Sequence, residues 1–123
     1  MWFPSVEYII ELFRDQIENP VIINRTGLIG TLDKVRFGLP FNENVTIWER
    51  VTILYQEIVE NHYFMDGNKR IGILIAFIFL NKNGYNFQPP LGEIFNFTMA
   101  VAQNQKDTKA IRNWFKKNSI SKS

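Results

Sequence analysis

His62-Tyr63-Phe64-Met65-Asp66-Gly67-Asn68-Lys69-Arg70-Ile71-Gly72 gathers the only histidine of the chain, a carboxylate four residues on, a Gly-Asn step and two adjacent cations. An imidazole changes charge near neutral pH, so His62 is suited to take a proton from a hydroxyl. Asp66 at a helix N-cap would leave the amides of Gly67, Asn68 and Lys69 facing outward, and with the helix dipole these make an anion site. Gly67 lets a phosphate approach the backbone, and Asn68 adds a neutral donor. Arg70 can grip phosphate oxygens with two parallel hydrogen bonds, while Lys69 adds a point charge. Mg²⁺ would sit between Asp66 and phosphate oxygens, the sparing protein ligation that this ion favours. Base, metal carboxylate and phosphate cradle together describe phosphoryl or nucleotidyl transfer to a hydroxyl. Taken singly, each piece has a plainer reading: a structural histidine, a common turn, two solvated cations. Their conjunction at the head of an apolar helix favours chemistry.

Other chemistries are excluded by what is missing. The serines stand at positions 5, 119, 121 and 123, all near the termini, which disfavours a Ser-His-Asp triad. One histidine and no cysteine cannot build a typical zinc site, and neither a P-loop nor a GxGxxG motif occurs.

The elements that must position the motif are helical. Ser5 caps a helix expected over 6–18, whose stripe is Val6, Ile9, Ile10, Phe13 and Ile17. Asn24-Arg25-Thr26-Gly27 between short apolar pieces predicts an exposed β-hairpin flap over 21–30, or else a plain inter-helix loop. A short helix then starts at Thr31 or Asp33 and stops near Gly38-Leu39-Pro40. Thr46-Ile47-Trp48-Glu49 is a capping box opening a helix to about Asn61, which puts His62 at a helix end. Asp66 caps the next helix, to about Lys82, with Asn83-Gly84 as its stop. That helix is apolar on nearly every side from Ile71 onward and is the expected buried pillar of a bundle. Pro89-Pro90 precedes a helix over 91–103, with Ile94, Phe95, Phe97, Met99 and Val101 as core contacts. Asp107 caps a last helix through Ile111, Trp114 and Phe115. The fold class is all-α, a helical bundle around a central buried helix with a small β-hairpin flap.

The 123 residues, 46% apolar and rich in phenylalanine, predict a single domain over 1–123 with one real core. The absence of cysteine, the lack of a signal-peptide pattern and an apolar run too short to span a bilayer point to a cytoplasmic protein with no membrane association. Charge is unevenly placed: residues 1–62 carry nine acids and five bases, residues 63–123 three acids and nine bases. Lys106, Lys109, Arg112, Lys116, Lys117 and Lys122 crowd the C-terminus. Without a groove-reading motif they read as a solvated face and tail, not as a surface for direct nucleic-acid binding.

The motif resembles the Fic/Doc (Fido) signature HxFx[D/E][G/A]N[G/K]R. Lys69, the chain length and Leu80-Asn81-Lys82-Asn83-Gly84 look like the Doc (death on curing) branch, as does Gly27-Leu28-Ile29-Gly30 with Asp33. The resemblance implies a Fido-type bundle in which His62 deprotonates a target hydroxyl and Asp66 holds Mg²⁺. Gly67, Asn68, Lys69 and Arg70 would bind the phosphates of ATP, Phe64 would anchor the loop, and the flap would align the target as an added strand. Relatives that transfer AMP usually carry a second arginine three positions after the first; here that position is Ile73. Doc-type proteins also lack it and look like kinases acting on a threonine of a translation elongation factor, so the resemblance favours phosphate transfer over AMP transfer. Tyr63 stands where many relatives have proline, a change expected to act on loop stiffness. No inhibitory (S/T)xxxE(G/N) segment occurs, so a toxin of this kind implies an antitoxin supplied as a separate chain. The competing class is a Fido-fold interaction module without catalysis.

Overall fold

The computed structural model describes residues 1–38 and 45–123. Within them six helices and one two-stranded sheet surround a core centred on the third and fourth helices. Helix α1 (Val6–Gln16) opens where the Ser5 hydroxyl accepts a hydrogen bond from the Tyr8 N–H at 3.0 Å, and it buries Ile9 and Phe13, one turn apart.

Helix α2 (Arg25–Phe37) begins six residues or more before the expected start, and residues 21–30 are not a hairpin. Asn24 serves as an N-cap, not as a turn residue: its side-chain oxygen accepts from the Gly27 N–H at 2.8 Å. Leu28, Thr31, Leu32 and Val35 then fall on one helical face and are buried. Burial of that face against the next helix outweighs the two glycines inside the segment. Only residues 21–24 of the segment precede the helix, and Ile22 forms an isolated antiparallel bridge to Phe64. Gly38 ends α2 with φ +80°, and the expected stop at Leu39-Pro40 lies outside the described residues.

Helix α3 (Ile47–Glu60) carries the capping box in full: the Thr46 N–H donates to Glu49 Oε2 at 2.9 Å and the Glu49 N–H to Thr46 Oγ1 at 3.4 Å. Helix α4 (Asn68–Lys82) lies against it closely enough that a Cβ on Gly72 would come within 2.7 Å of Val59 Cγ2. No residue from Ile71 to Leu80 is exposed, as expected of the pillar. Asn83 closes α4 and ties down the N-terminus. Its amide donates to Phe79 O at 2.8 Å and Trp2 O at 3.0 Å, while its carbonyl accepts from the Trp2 N–H at 2.7 Å.

Strand β1 (Tyr85–Phe87) pairs antiparallel with β2 (Ser119–Ser121), Asn86 opposite Ile120. The small sheet therefore joins the end of α4 to the C-terminus, far along the chain from the expected flap. Between the strands run α5 (Glu93–Ala102) and α6 (Thr108–Lys117), the latter capped by Asp107. Among the described residues no helix is long and apolar enough to cross a membrane.

Helix α5 departs from its expected core set. Thr98 and Val101 are buried, whereas Phe95 is 67% exposed. The Tyr55 and Thr98 hydroxyls lie 2.6 Å apart in the core, Phe97 stacks on Trp114 at 3.9 Å, and Trp114 Nε1 donates to Glu93 Oε1 at 2.6 Å. These contacts set which side of α5 faces in. Burial pushes the Tyr55 phenol well above its ordinary value, with the Thr98 hydrogen bond offsetting part of that shift. Tyr55→Phe alone and Thr98→Val alone should each cost about 1–3 kcal/mol by leaving a buried hydroxyl unpaired or a packing gap. The double variant should recover part of the loss in urea unfolding. Simple additivity of the two losses would contradict a direct bond between α3 and α5.

Candidate functional site

Asn61 ends α3, and His62 follows with φ +49°, in the left-handed region that often terminates helices. Histidine visits this region more readily than most residues, so the break needs no glycine. The turn leaves the His62 side chain exposed and sends Tyr63 and Phe64 into the protein, and Met65 returns to the surface.

Those residues are held on every side. The Tyr63 carbonyl accepts from the Ile23 and Asn24 N–H groups at 2.9 and 3.1 Å, and the Met65 N–H donates to Val21 O at 2.9 Å. Phe64 is fully buried and stacks on Phe13 of α1 with ring centroids 4.6 Å apart. Tyr63 is buried too: its hydroxyl lies 2.6 Å from Thr31 Oγ1 and accepts from Asn61 Nδ2 at 3.2 Å. Thr31 in turn donates to Glu57, which pairs with Lys34 at 3.0 Å. Tyr63 thus stiffens the loop through a polar chain running from α2 to α3, a role that proline could not fill.

Asn68 acts differently from the sequence expectation. Its side chain is 7% exposed and spent on Phe64, accepting from the Phe64 N–H at 3.0 Å and donating to the Phe64 carbonyl at 2.8 Å. It clips the loop to the first residue of α4, and what it offers an anion is its backbone N–H. Asp66 departs as well. It does not cap α4; its Oδ1 accepts from the Gly67 N–H at 2.8 Å, and Gly67 is the N-cap residue with no side-chain capping bond. The difference is one residue, because the left-handed Gly67 delays the helix. The amides of Asn68, Lys69 and Arg70 consequently have no partner among the described residues.

Gly67 is needed for a reason beyond ligand access. Its φ is +80°, and a Cβ there would stand 2.8 Å from the Phe13 ring. His62, Asp66, Gly67, Asn68, Lys69 and Arg70 all line one cleft of about 330 Å³, so the structure brings every expected site residue together. The rest of the lining includes Val59, Ile73, Phe95, Thr98, Met99 and Ala102. Of these residues sequence reasoning singles out Ile73 and misses the α5 face, because α5 is apolar on several sides and no periodicity marks which one meets the motif.

Lys69 and Arg70 are exposed and make no ion pair with the described residues. Cations, free amides and an α4 dipole converge on the same mouth, an arrangement that favours phosphate. Asp66 keeps one carboxylate oxygen without a partner, and among the described residues no cluster of three metal-ligating side chains exists. That fits Mg²⁺ held by one carboxylate together with substrate phosphates, and it does not fit an all-protein metal cage. Gly67→Ala should lower stability by about 2–5 kcal/mol, the sum of left-handed backbone strain and overpacking against Phe13. Thermal unfolding measures it, and a loss under about 1 kcal/mol would show that the loop relaxes freely.

The comparisons with known proteins agree with this geometry. The sequence model of the Fic/DOC family matches residues 8–80, from the first turns of α1 to the last turn of α4. No curated protein matches the chain. The matched span is more than half of the sequence and contains the whole His62–Gly72 motif, the clip on Phe64 and the α1 ring that Phe64 stacks on. The chain belongs to the Fic/DOC family, whose Fido-fold members transfer AMP or a phosphate group to proteins.

Proposed function

We propose that this chain is a Doc-like kinase, a toxin that moves the γ-phosphate of ATP onto a protein hydroxyl. The observation that carries the reading is the shared cleft, whose lining holds the exposed His62, the uncapped start of α4 and two cations that pair with no described residue. His62 takes the proton of the target hydroxyl, whose oxygen bonds to the γ-phosphorus. The bond from that phosphorus to the β–γ bridging oxygen breaks, and ADP leaves. The amides of Asn68, Lys69 and Arg70 and the two cationic side chains hold the phosphate oxygens, where charge builds in the transition state. Asp66 is the residue that would hold Mg²⁺, which supplies charge neutralisation to the phosphates when bound.

Ile73 supports phosphate over AMP transfer. The cleft lining one helical turn past Arg70 is the apolar Ile73, so the grip that a second arginine would give there is missing. The target enters along residues 21–24. Ile22 pairs with Phe64 through its neighbours' hydrogen bonds, which leaves its own N–H and C=O on the outer edge. Val21 and Ile23 are exposed on either side of it, and an extended peptide can add there as a strand. A threonine of a translation elongation factor fits the class of target, and the antitoxin is a separate chain.

Incubation with γ-labelled ATP, magnesium and a translation extract should label a protein band. Asp66→Ala should abolish the label while costing no more than about 1 kcal/mol of stability, since the side chain is exposed. His62→Asn is the better test of the base, because asparagine tolerates the left-handed backbone that alanine does not. It should reduce labelling by at least about a hundredfold. Label delivered only from α-labelled ATP would instead assign AMP transfer.

A further inference from the structure

His62 stands in a left-handed turn at φ +49°, a conformation that strains a non-glycine residue and persists only where its surroundings hold it. Its side chain is exposed, so what aims it must come from the residues on either side. Those two are tied to each other: Asn61 Nδ2 donates to the Tyr63 hydroxyl at 3.2 Å, a bond that spans His62. From there the hydrogen bonds have a fixed direction. Thr31 has a single hydroxyl hydrogen, which goes to Glu57 Oε1 at 2.7 Å, because a carboxylate offers acceptors only. The Thr31 oxygen, 2.6 Å from the Tyr63 oxygen, therefore accepts from the phenol, whose own oxygen accepts from Asn61. Lys34 Nζ closes the series on both Glu57 oxygens at 3.0 Å. Glu57 and Asn61 lie one turn apart at the end of α3, and Thr31 and Lys34 one turn apart on α2, so two packed helices present the groups. The Tyr63 ring also has a seat cut for it. A Cβ on Gly27, in the first turn of α2, would come within 2.7 Å of Tyr63 Cε1, so a bare backbone there makes room for the ring. Tyr63 and Thr31 are both buried, and the bond between them lies where water cannot replace a lost partner.

We propose that Tyr63 is a positioning residue for the base: its hydroxyl locks the turn at His62 and so aims the imidazole at the target hydroxyl, without contributing to nucleotide binding. The inference rests on the reading of His62 as the base. The two tasks separate because they have different supports. The α4 amides are placed by Gly67 and by the Asn68 side chain on Phe64, and neither residue bonds to the Tyr63 hydroxyl. The turn at His62 is bracketed by the Asn61–Tyr63 bond, which does not reach the cradle. Phenylalanine at 63 would fill the same volume, keep the carbonyl bonds to Ile23 and Asn24, and lose only the hydroxyl. The strained turn would then relax into other conformations, and the imidazole would move with it. A displacement of about an ångström is enough to slow a group-transfer step on the order of a hundredfold.

Tyr63→Phe tests this in the purified protein, assayed with γ-labelled ATP, magnesium and a translation extract. The His62 Cα resonance, which reports backbone conformation, is a second readout independent of turnover. His62 is the only histidine, so selective labelling gives a single signal. The variant should label at a maximal rate about 10–100-fold lower with an unchanged KM for ATP, and its His62 Cα shift should leave the left-handed value. Thr31→Val, which removes the acceptor of the phenol, should do the same, and Thr31→Ser, which restores it, should recover the parent rate. Rates are compared well below the thermal unfolding midpoint of each variant, so loss of fold does not enter. A Tyr63→Phe variant with the rate and His62 shift of the parent overturns the proposal. So does a slower variant whose His62 shift stays put, or whose KM for ATP rises about tenfold, because the hydroxyl would then act on something other than the turn. A parent protein that labels nothing from either γ- or α-labelled ATP overturns the reading of His62 as a base, and this inference with it.

Discussion

Phe64 is the point on which the cleft depends. Its ring is stacked on Phe13, its amide and carbonyl are both held by the Asn68 side chain, and its neighbours are hydrogen-bonded to the segment 21–24. Three different elements thus fix one residue in the middle of a loop. Two backbone hydrogen bonds and a fully buried aromatic ring are each worth on the order of a kilocalorie or more, and they are lost together if the loop lifts. A loop of this length would otherwise be the most mobile part of the site. Pinning it lets His62 and the first amides of α4 keep a fixed relation in a chain that has no cysteine for a disulfide, which is the preorganisation that group transfer requires.

The same constraint explains two residues that do not take the roles their types suggest. Asn68 looks like a ligand donor and is a clip; Gly67 looks like a concession to a bulky ligand and is a concession to Phe13. Both still serve the site, because the clip and the left-handed glycine together leave the amides of residues 68–70 uncapped. Asp66 bonds to Gly67 and does not reach those amides, so it does not compete with an incoming phosphate for them.

Much of this was legible in the sequence. Ser5, Thr46 with Glu49, and Asp107 are local signals, decided within four residues, and each caps the helix expected of it. The spacing of the motif likewise placed six residues that the fold then collects in one cleft. What could not be read depends on partners distant in the chain. Asn24-Arg25-Thr26-Gly27 is locally a good turn and becomes a helix start because Leu28, Leu32 and Val35 find α3 to bury against. Strands β1 and β2 are three residues each, with α5 and α6 between them, too short for any periodicity to reveal. The rotation of α5, and with it the exposure of Phe95, is settled by Tyr55 and Trp114, which no local pattern announces.

The proposed activity is that His62 and the phosphate cradle modify another protein. Mass spectrometry of total protein after brief induction tests it most directly, comparing cells that make the parent chain with cells that make a His62→Asn variant of equal abundance. Peptides carrying an added phosphate on a hydroxyl side chain are expected in the first culture and absent from the second. Peptide maps that match between the two cultures would contradict it.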